Sequence, residues 1–500
     1  MPRWMISAAT ALALGTAPLI VRVPAGASRS AGNVGPPTVT GPVTGGKGAP
    51  TLVSAGIDAA NGTYSAEEYF LEGTATSYAP VGQLGTDGEW KVKAAETAPY
   101  KTRIVVYRPV QRADFNGTVF VEWFNVTAGF DTGADWLSTH TEIIRSGAAW
   151  VGVSAQVVGV QGGVESVSDE LPAGGIKAGD PERYGSLSHP GDPFSYDIFS
   201  QVALAARQRK EPAPLGDLRV RRVIAIGESQ AAFRLVTYVN AIQPRAHVFD
   251  GFLIHGRAGG SASLGASRTF GQDDRDMPET VRIRRDIDVP VLTFQTETDL
   301  TFLGSIASRQ RDFPNSRLWE VAGAAHADAY IAGIGFGDAD TGAAERTLLD
   351  PAAISGGPLG CSTPINSGPS FLVLNAALAH LDRWVTSGTP PPRAPRLETT
   401  VDGEIARDDR GIAQGGIRTP LVDVPVATNN GEPNDGGSFC ILFGTSKPFD
   451  AATLAELYPT REDFVRAFDA ATDKAVKAGF LVEPDAQQLK DAAAELPIGG

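Results

Sequence analysis

Three residues far apart in the chain, Ser229, Asp299 and His326, have the types and settings needed for nucleophilic attack on an acyl carbonyl. Ser229 stands in Gly227-Glu228-Ser229-Gln230-Ala231. A short apolar run, 223–226, leads into this pentapeptide, and bulky apolar residues at helical spacing follow it as far as Val239. A strand, a sharp turn with serine at its tip and a helix would lift the hydroxyl clear of a sheet, where a distant imidazole can take its proton. The backbone approaches itself closely at such a turn, so the flanking positions must be small. Gly227 meets this demand, and Ala231 adds one methyl group. The turn also aims the Gln230 N–H at the place where an oxyanion would form.

A tight strand–helix turn that merely carries a serine reads the same way, so the partners decide. The strand-like 289–294 runs into Gln295-Thr296-Glu297-Thr298-Asp299, and 317–321 runs into Ala322-Gly323-Ala324-Ala325-His326. In a parallel sheet the carboxyl ends of these strands share one edge with Ser229. The order Ser, Asp, His therefore predicts Asp299 as the acid and His326 as the base, with Glu297 on the same loop as the alternative acid. The competing readings are a helix cap at Asp299 before a helix over 300–309, and a loop histidine bonded to backbone at 326. A second oxyanion donor is expected from the loop after the strand at 119–124, either the Val126 N–H or that of Asn125.

The elements that must hold these groups follow from periodicity. Strands are expected at 67–78 and 101–107, with a Gly-rich turn at 82–90 between them, and at 117–124, 149–155, 221–226 and 249–255. Helices are expected at 134–145, 196–209 and 371–385, and a helix-like stretch at 451–478. The β–loop–α–β succession from 117 to 155 marks a parallel sheet covered by helices, an α/β fold. Three stretches resist assignment. We read 156–193 as a long loop over the active face, the polar 256–288 as a lid, and 327–367 as a Gly-rich insertion. On this reading the catalytic domain spans 51–390, and 391–500 is a C-terminal segment packed on it.

The succession of turn, acid and histidine resembles the α/β-hydrolase fold. Val121-Glu122-Trp123-Phe124-Asn125-Val126, Gly227 to Leu235, Ala325-His326-Ala327-Asp328-Ala329-Tyr330 and Gly415-Gly416-Ile417-Arg418-Thr419-Pro420 resemble the bacterial "alpha/beta hydrolase domain-containing" proteins. The resemblance implies a mostly parallel central sheet flanked by helices, loop insertions forming a cap, and serine hydrolysis. Two features depart from the wider fold's pattern: Ala231 replaces the second glycine of the turn, and the loop at 125–129 lacks a His-Gly opening. We expect a small-molecule carboxylic ester to be cleaved through an acyl-enzyme. Rival readings are acyl transfer by the same residues, a binding protein on an inert hydrolase scaffold, and an amidase or peptidase.

Composition narrows the setting. The 500 residues carry 43 Lys and Arg against 57 Asp and Glu, a net charge of −14 with no basic stripe. That argues against nucleic acid and anionic membrane surfaces as partners. Residues 1–27 read as an export signal: Arg3, an apolar stretch over 5–21, and Ala25-Gly26-Ala27 as the cleavage site before Ser28. A disordered linker is expected over 28–50. The only two cysteines, Cys361 and Cys440, predict one disulfide in an exported chain, secreted or periplasmic. Glu122 reads as a hydrogen-bonded structural carboxylate, and Glu228 reads as solvated or as holding a neighbouring loop, in either case not as catalytic. His255 reads as a buried histidine with a backbone partner, or as a pocket wall. Asp338-Ala339-Asp340-Thr341-Gly342 hints at a calcium loop, but its twelfth position is Leu349, where a bidentate Glu is required. No zinc motif and no nucleotide loop is present, so neither metal nor cofactor is expected.

Overall fold

Alternate residues of the central apolar runs bury themselves on opposite sides of one sheet. Val119, Val121, Val223, Ala225, Phe252 and Ile254 pack into one core, and Phe120, Ile224, Ile226, Leu253 and Leu292 into another. Strands buried on both faces read as unbroken apolar runs, which is why they were legible. The computed structural model describes residues 34–498, apart from 57–59, 163–173, 266–276, 351–353, 357–359 and Ser438. The expected signal at 1–27 lies outside the described residues.

Among the described residues the sheet has nine strands, in the order β1-β2-β3-β5-β4-β6-β7-β8-β9. These are β1 (Thr38–Thr40), β2 (Tyr64–Pro80), β3 (Val92–Pro109), β4 (Thr118–Trp123), β5 (Ala149–Val153), β6 (Arg222–Glu228), β7 (Gly251–His255), β8 (Val291–Gln295) and β9 (Ser316–Glu320). From β5 through β4, β6, β7 and β8 to β9 every pairing is parallel, and the edge made by β1, β2 and β3 is antiparallel. Helices Ser195–Ala206 and Gln230–Thr237 cover one face, and Ala134–Arg145 and Ser370–Ser387 the other. The mostly parallel sheet flanked by helices is the expected one.

Three expectations need correction. The stretch expected to be a disordered linker is ordered over its described part. Thr38–Thr40 pairs with Phe70–Glu72, and the Val43 and Gly45 carbonyls accept from Arg183. A strand of three residues carries almost no sequence signal, because its order comes from the partner edge. Next, the described parts of 256–288 are not all lid: Val281, Ile283 and Ile287 belong to the core. Finally, 327–367 is no simple loop insertion. Tyr330, Leu348, Leu349 and Cys361 build a third core with Phe464, Phe468 and Leu489 of the C-terminal helices Arg461–Ala478 and Glu483–Glu495.

The C-terminal segment also joins the sheet. Ile417 bridges Val321 in parallel, its N–H donating to the Glu320 carbonyl at 2.7 Å while the Ala322 N–H donates to its own at 3.0 Å. Cys361 and Cys440 form a disulfide across 79 residues of sequence. Closing a loop of that length restrains the unfolded chain, so replacing both cysteines with alanine is expected to cost about 2–4 kcal/mol in urea unfolding. Among the described residues no helix is long and apolar enough to cross a membrane.

Candidate active site

The turn after β6 is as sharp as the pentapeptide requires. Ser229 has φ 54° and ψ −117°, a conformation that costs a non-glycine residue on the order of 1–3 kcal/mol. It is held by the Ser229 N–H donating to the His255 carbonyl at 2.8 Å and the Phe233 N–H donating to the Ser229 carbonyl at 3.1 Å. A Cβ on Gly227 would stand 3.0 Å from Leu235 Cδ1 and 3.1 Å from Ala231 Cβ. A side chain at 227 would crowd both neighbours, so the turn favours small residues at 227 and 231.

His326 reaches this turn from the loop after β9. Its Nε2 lies 2.9 Å from Ser229 Oγ and its Nδ1 lies 2.6 Å from Asp299 Oδ1. A carboxylate only accepts, so Nδ1 carries the hydrogen and Nε2 is left to accept from the serine hydroxyl. All three side chains are buried. Gly256 has φ +65°, and a Cβ there would come within 3.1 Å of His326 Cε1, so a side chain at this position would crowd the imidazole.

Asp299 faces His326, and it is not the cap of a helix over 300–309: it is the third residue of the short helix Glu297–Leu300, whose N-cap is Thr296. One oxygen faces His326. The other accepts from the Thr296 N–H at 2.7 Å and the Thr296 hydroxyl at 2.9 Å, in a capping box at the start of the short helix Glu297–Leu300. The helix is shorter than the expected 300–309. Glu297, the alternative acid, is not brought to the imidazole. Its carboxylate accepts from the Gly323 N–H at 2.6 Å and the Gly431 N–H at 3.1 Å, and pairs with Arg407 at 2.8 Å. It ties the Asp299 loop, the His326 loop and the C-terminal segment together. Glu297→Gln is therefore expected to lower the thermal midpoint and leave the pH dependence of turnover where it was. A shifted pH profile in that variant would return Glu297 to the list of acids.

The two expected oxyanion donors, Gln230 and Val126, lie respectively next to Ser229 in the chain and in the loop after β4. Gln230 opens helix Gln230–Thr237, so its N–H has no acceptor within the helix. Val126 is buried in a loop closed by reciprocal Asn125–Thr132 backbone bonds of 3.0 and 2.9 Å. Among the described residues its N–H donates to no acceptor. The loop is tied down from two sides. Asn125 Nδ2 donates to Glu228 Oε2 at 2.8 Å, and Asp131 pairs with the buried Arg103 at 2.8 Å.

Two features went unread in the sequence. Glu228 is buried and its Oε1 lies 3.2 Å from His326 Nε2, so the carboxylate faces the same ring nitrogen as the serine. His255 is bonded through Nδ1 to Asp135 Oδ1 at 2.9 Å rather than to backbone. The available signal was positional: Glu228 and His255 end neighbouring strands in register. Glu122 is structural as expected, accepting from the Asp135 and Trp136 N–H groups at 2.9 and 2.8 Å and from Trp150 Nε1. Burial pushes His326 down, but the Asp299 carboxylate, with Glu228 adding to it, outweighs burial and holds the imidazole up at about 8. A groove of about 350 Å³ lined by Asn116, Glu142 and Asp382 opens beside the amino end of β4, the sheet edge opposite Ser229, and has no part in this chemistry. Among the described residues no cluster of acids, histidines and cysteines could hold a metal ion.

The strand order and the parallel register define an α/β hydrolase architecture. The chain belongs to the alpha/beta hydrolase domain family, whose profile matches residues 39–491. No curated protein matches the sequence. Solved structures with some likeness include a fungal esterase from Rhizomucor miehei, 11% identical over 63% of this chain and 84% of that one, with a TM-score of 0.28. A lipase/esterase from Lactobacillus plantarum is 11% identical over 49% of this chain and 91% of that one, with a TM-score of 0.27. An esterase from Pyrobaculum calidifontis is 15% identical over 44% of this chain and 70% of that one, also with a TM-score of 0.27. The fold assignment rests on the strand order and the family match.

Proposed function

We propose that this protein is a serine hydrolase that cleaves small carboxylic esters through an acyl-enzyme. The observation that carries this reading is the single imidazole bonded at once to a hydroxyl in a strained turn and to a buried carboxylate. His326 takes the Ser229 proton as Oγ attacks the ester carbonyl. Asp299 holds the ring and stabilises its cation. The Gln230 and Val126 N–H groups receive the oxyanion, the first with the added field of a helix N-terminus. His326 then returns the proton to the leaving alcohol, and water releases the acid by the same steps in reverse order of roles. The disulfide supports an oxidising destination for the chain, secreted or periplasmic.

The test is labelling of Ser229 by a fluorophosphonate together with turnover of p-nitrophenyl esters of graded chain length. An unlabelled serine would leave the inert-scaffold reading in place. Adding an acceptor alcohol separates hydrolysis from acyl transfer. The raised histidine gives a further expectation. Below about pH 8 the imidazole is mostly protonated and cannot act as a base, so kcat/KM should rise with pH through about 8 and level off above it. A profile already flat from pH 6 would contradict the assignment of His326.

A further inference from the structure

Serine, histidine and aspartate do not exhaust the buried ionisable groups at this edge of the sheet. Glu228 ends β6 and His255 ends β7, and the two are register partners, so their side chains leave the sheet on the same face, beneath helix Ala134–Arg145. The contacts then run in one line: Asp299 to His326 at 2.6 Å, His326 to Glu228 at 3.2 Å, and, past the register pair, His255 to Asp135 at 2.9 Å. Acid and imidazole alternate along it. None of the five is more than 7% exposed. The remaining charged groups that face the line are Glu122, whose carboxylate binds the Asp135 N–H, and Asp328, which caps helix Ala329–Ala332.

A carboxylate buried this deeply tends to take up a proton and lose its charge. Burial does push Glu228 up, and the His326 and His255 imidazoles oppose it. Burial pushes His255 down, and Asp135, with the Glu228 and Asp299 carboxylates adding to it, more than offsets that, leaving the ring above the ordinary histidine value. A positive charge on the His255 ring, beside Glu228 in register, opposes the loss of charge that burial favours there. One Glu228 oxygen is fixed by Asn125, which leaves the other aimed at His326 Nε2.

Resting on the reading of Ser229 as nucleophile and His326 as base, we propose that Glu228 is a positioning residue that stabilises the protonated form of His326 during acyl transfer, and that the His255–Asp135 pair keeps Glu228 charged for that task. The proton moves from Ser229 Oγ to His326 Nε2 as the carbon–oxygen bond forms. While the imidazolium lasts, its Nε2–H lies between the leaving oxygen and Glu228 Oε1. The proton goes on to the leaving group, and Glu228 undergoes no covalent change.

Glu228→Gln is the discriminating variant, because its amide oxygen can still accept from Asn125 while the charge is gone. The full-length protein is assayed with p-nitrophenyl acetate across pH, as wild type, Glu228→Gln, His255→Gln and the double variant. Loss of turnover in Ser229→Ala secures the underlying reading first, and its retention would end that reading rather than this one. We expect the rising limb of kcat/KM in Glu228→Gln to move down by about one pH unit, with kcat on the plateau reduced about tenfold and KM little changed. His255→Gln should move the limb the same way, and the double variant no further than Glu228→Gln alone. Limbs that stay at the wild-type pH in both single variants would overturn the proposal. A shift in Glu228→Gln alone, or two shifts that add in the double variant, would overturn the role given to His255. If His255→Gln does not fold, Asp135→Asn replaces it. A ¹⁵N titration of the His326 ring in wild type and Glu228→Gln reads the same effect without substrate, and identical titrations would reject the role of Glu228.

Discussion

Alanine at position 229 is expected to lower kcat for a p-nitrophenyl ester by about 10⁵-fold or more, with the thermal midpoint almost unchanged. Among the described residues the serine hydroxyl bonds only to His326, and its removal leaves the backbone bonds of the turn in place. His326→Ala should cost about as much, and the double variant little more than either, because base and nucleophile act as one unit. Asp299→Asn should cost about 10⁴-fold. An asparagine can present an N–H where His326 Nδ1 needs an acceptor, which favours the tautomer with a hydrogen facing Ser229. The Thr296 N–H holds the amide oxygen on its own side, which turns the NH2 toward His326 and keeps the capping contact, so the fold should survive. Ordinary turnover in Ser229→Ala would end the proposed chemistry, and losses that multiply in the double variant would mean that the two residues act separately.

The largest effect on stability is expected from Arg103, which has no exposed surface. Its guanidinium donates to Glu68 Oε1 at 2.9 Å, Asp131 Oδ2 at 2.8 Å, Ser154 Oγ at 2.9 Å and the Thr51 carbonyl at 2.7 Å. Truncation to alanine leaves Glu68 with Arg183 but strips Asp131 of its paired cation. A buried carboxylate left alone in this way costs roughly 3–5 kcal/mol, to be read from the urea midpoint. Lysine should recover only part of the loss, since one ammonium cannot span acceptors arranged around a planar fork. Asp131 lies in the loop that carries Val126, so kcat should fall with stability. A change within about 0.5 kcal/mol would show that the pair is matched by its own desolvation and that the loop is held by something else.

The parallel strands, the serine turn and the two loops that deliver Asp299 and His326 were legible because each is a local pattern with a fixed place in a strand succession. The two-sided burial of 223–226 and 251–255 is written in adjacent letters, successive residues entering opposite cores. What escaped is pairing over distance. His255 meets Asp135 across 120 positions and Glu297 meets Arg407 across 110, and nothing local marks either partner. Glu297 and Asp299 share a loop and a chemical type, so only the direction in which each points could separate them. The 327–367 stretch looked like an insertion because its apolar residues find their partners in helices more than 100 positions later. β1 and the exposed half of β3 were missed for the opposite reason, since strands at an edge need few apolar letters.

Ile417 beside β9 and Arg407 on Glu297 place a constraint on biosynthesis. A nascent polypeptide that has left the ribosome as far as residue 390 already contains the serine, the aspartate and the histidine. It still has an open edge at β9 and an unpaired acid under the aspartate's loop. The surroundings of the three are complete only once residues through Ile417 have been made and have docked.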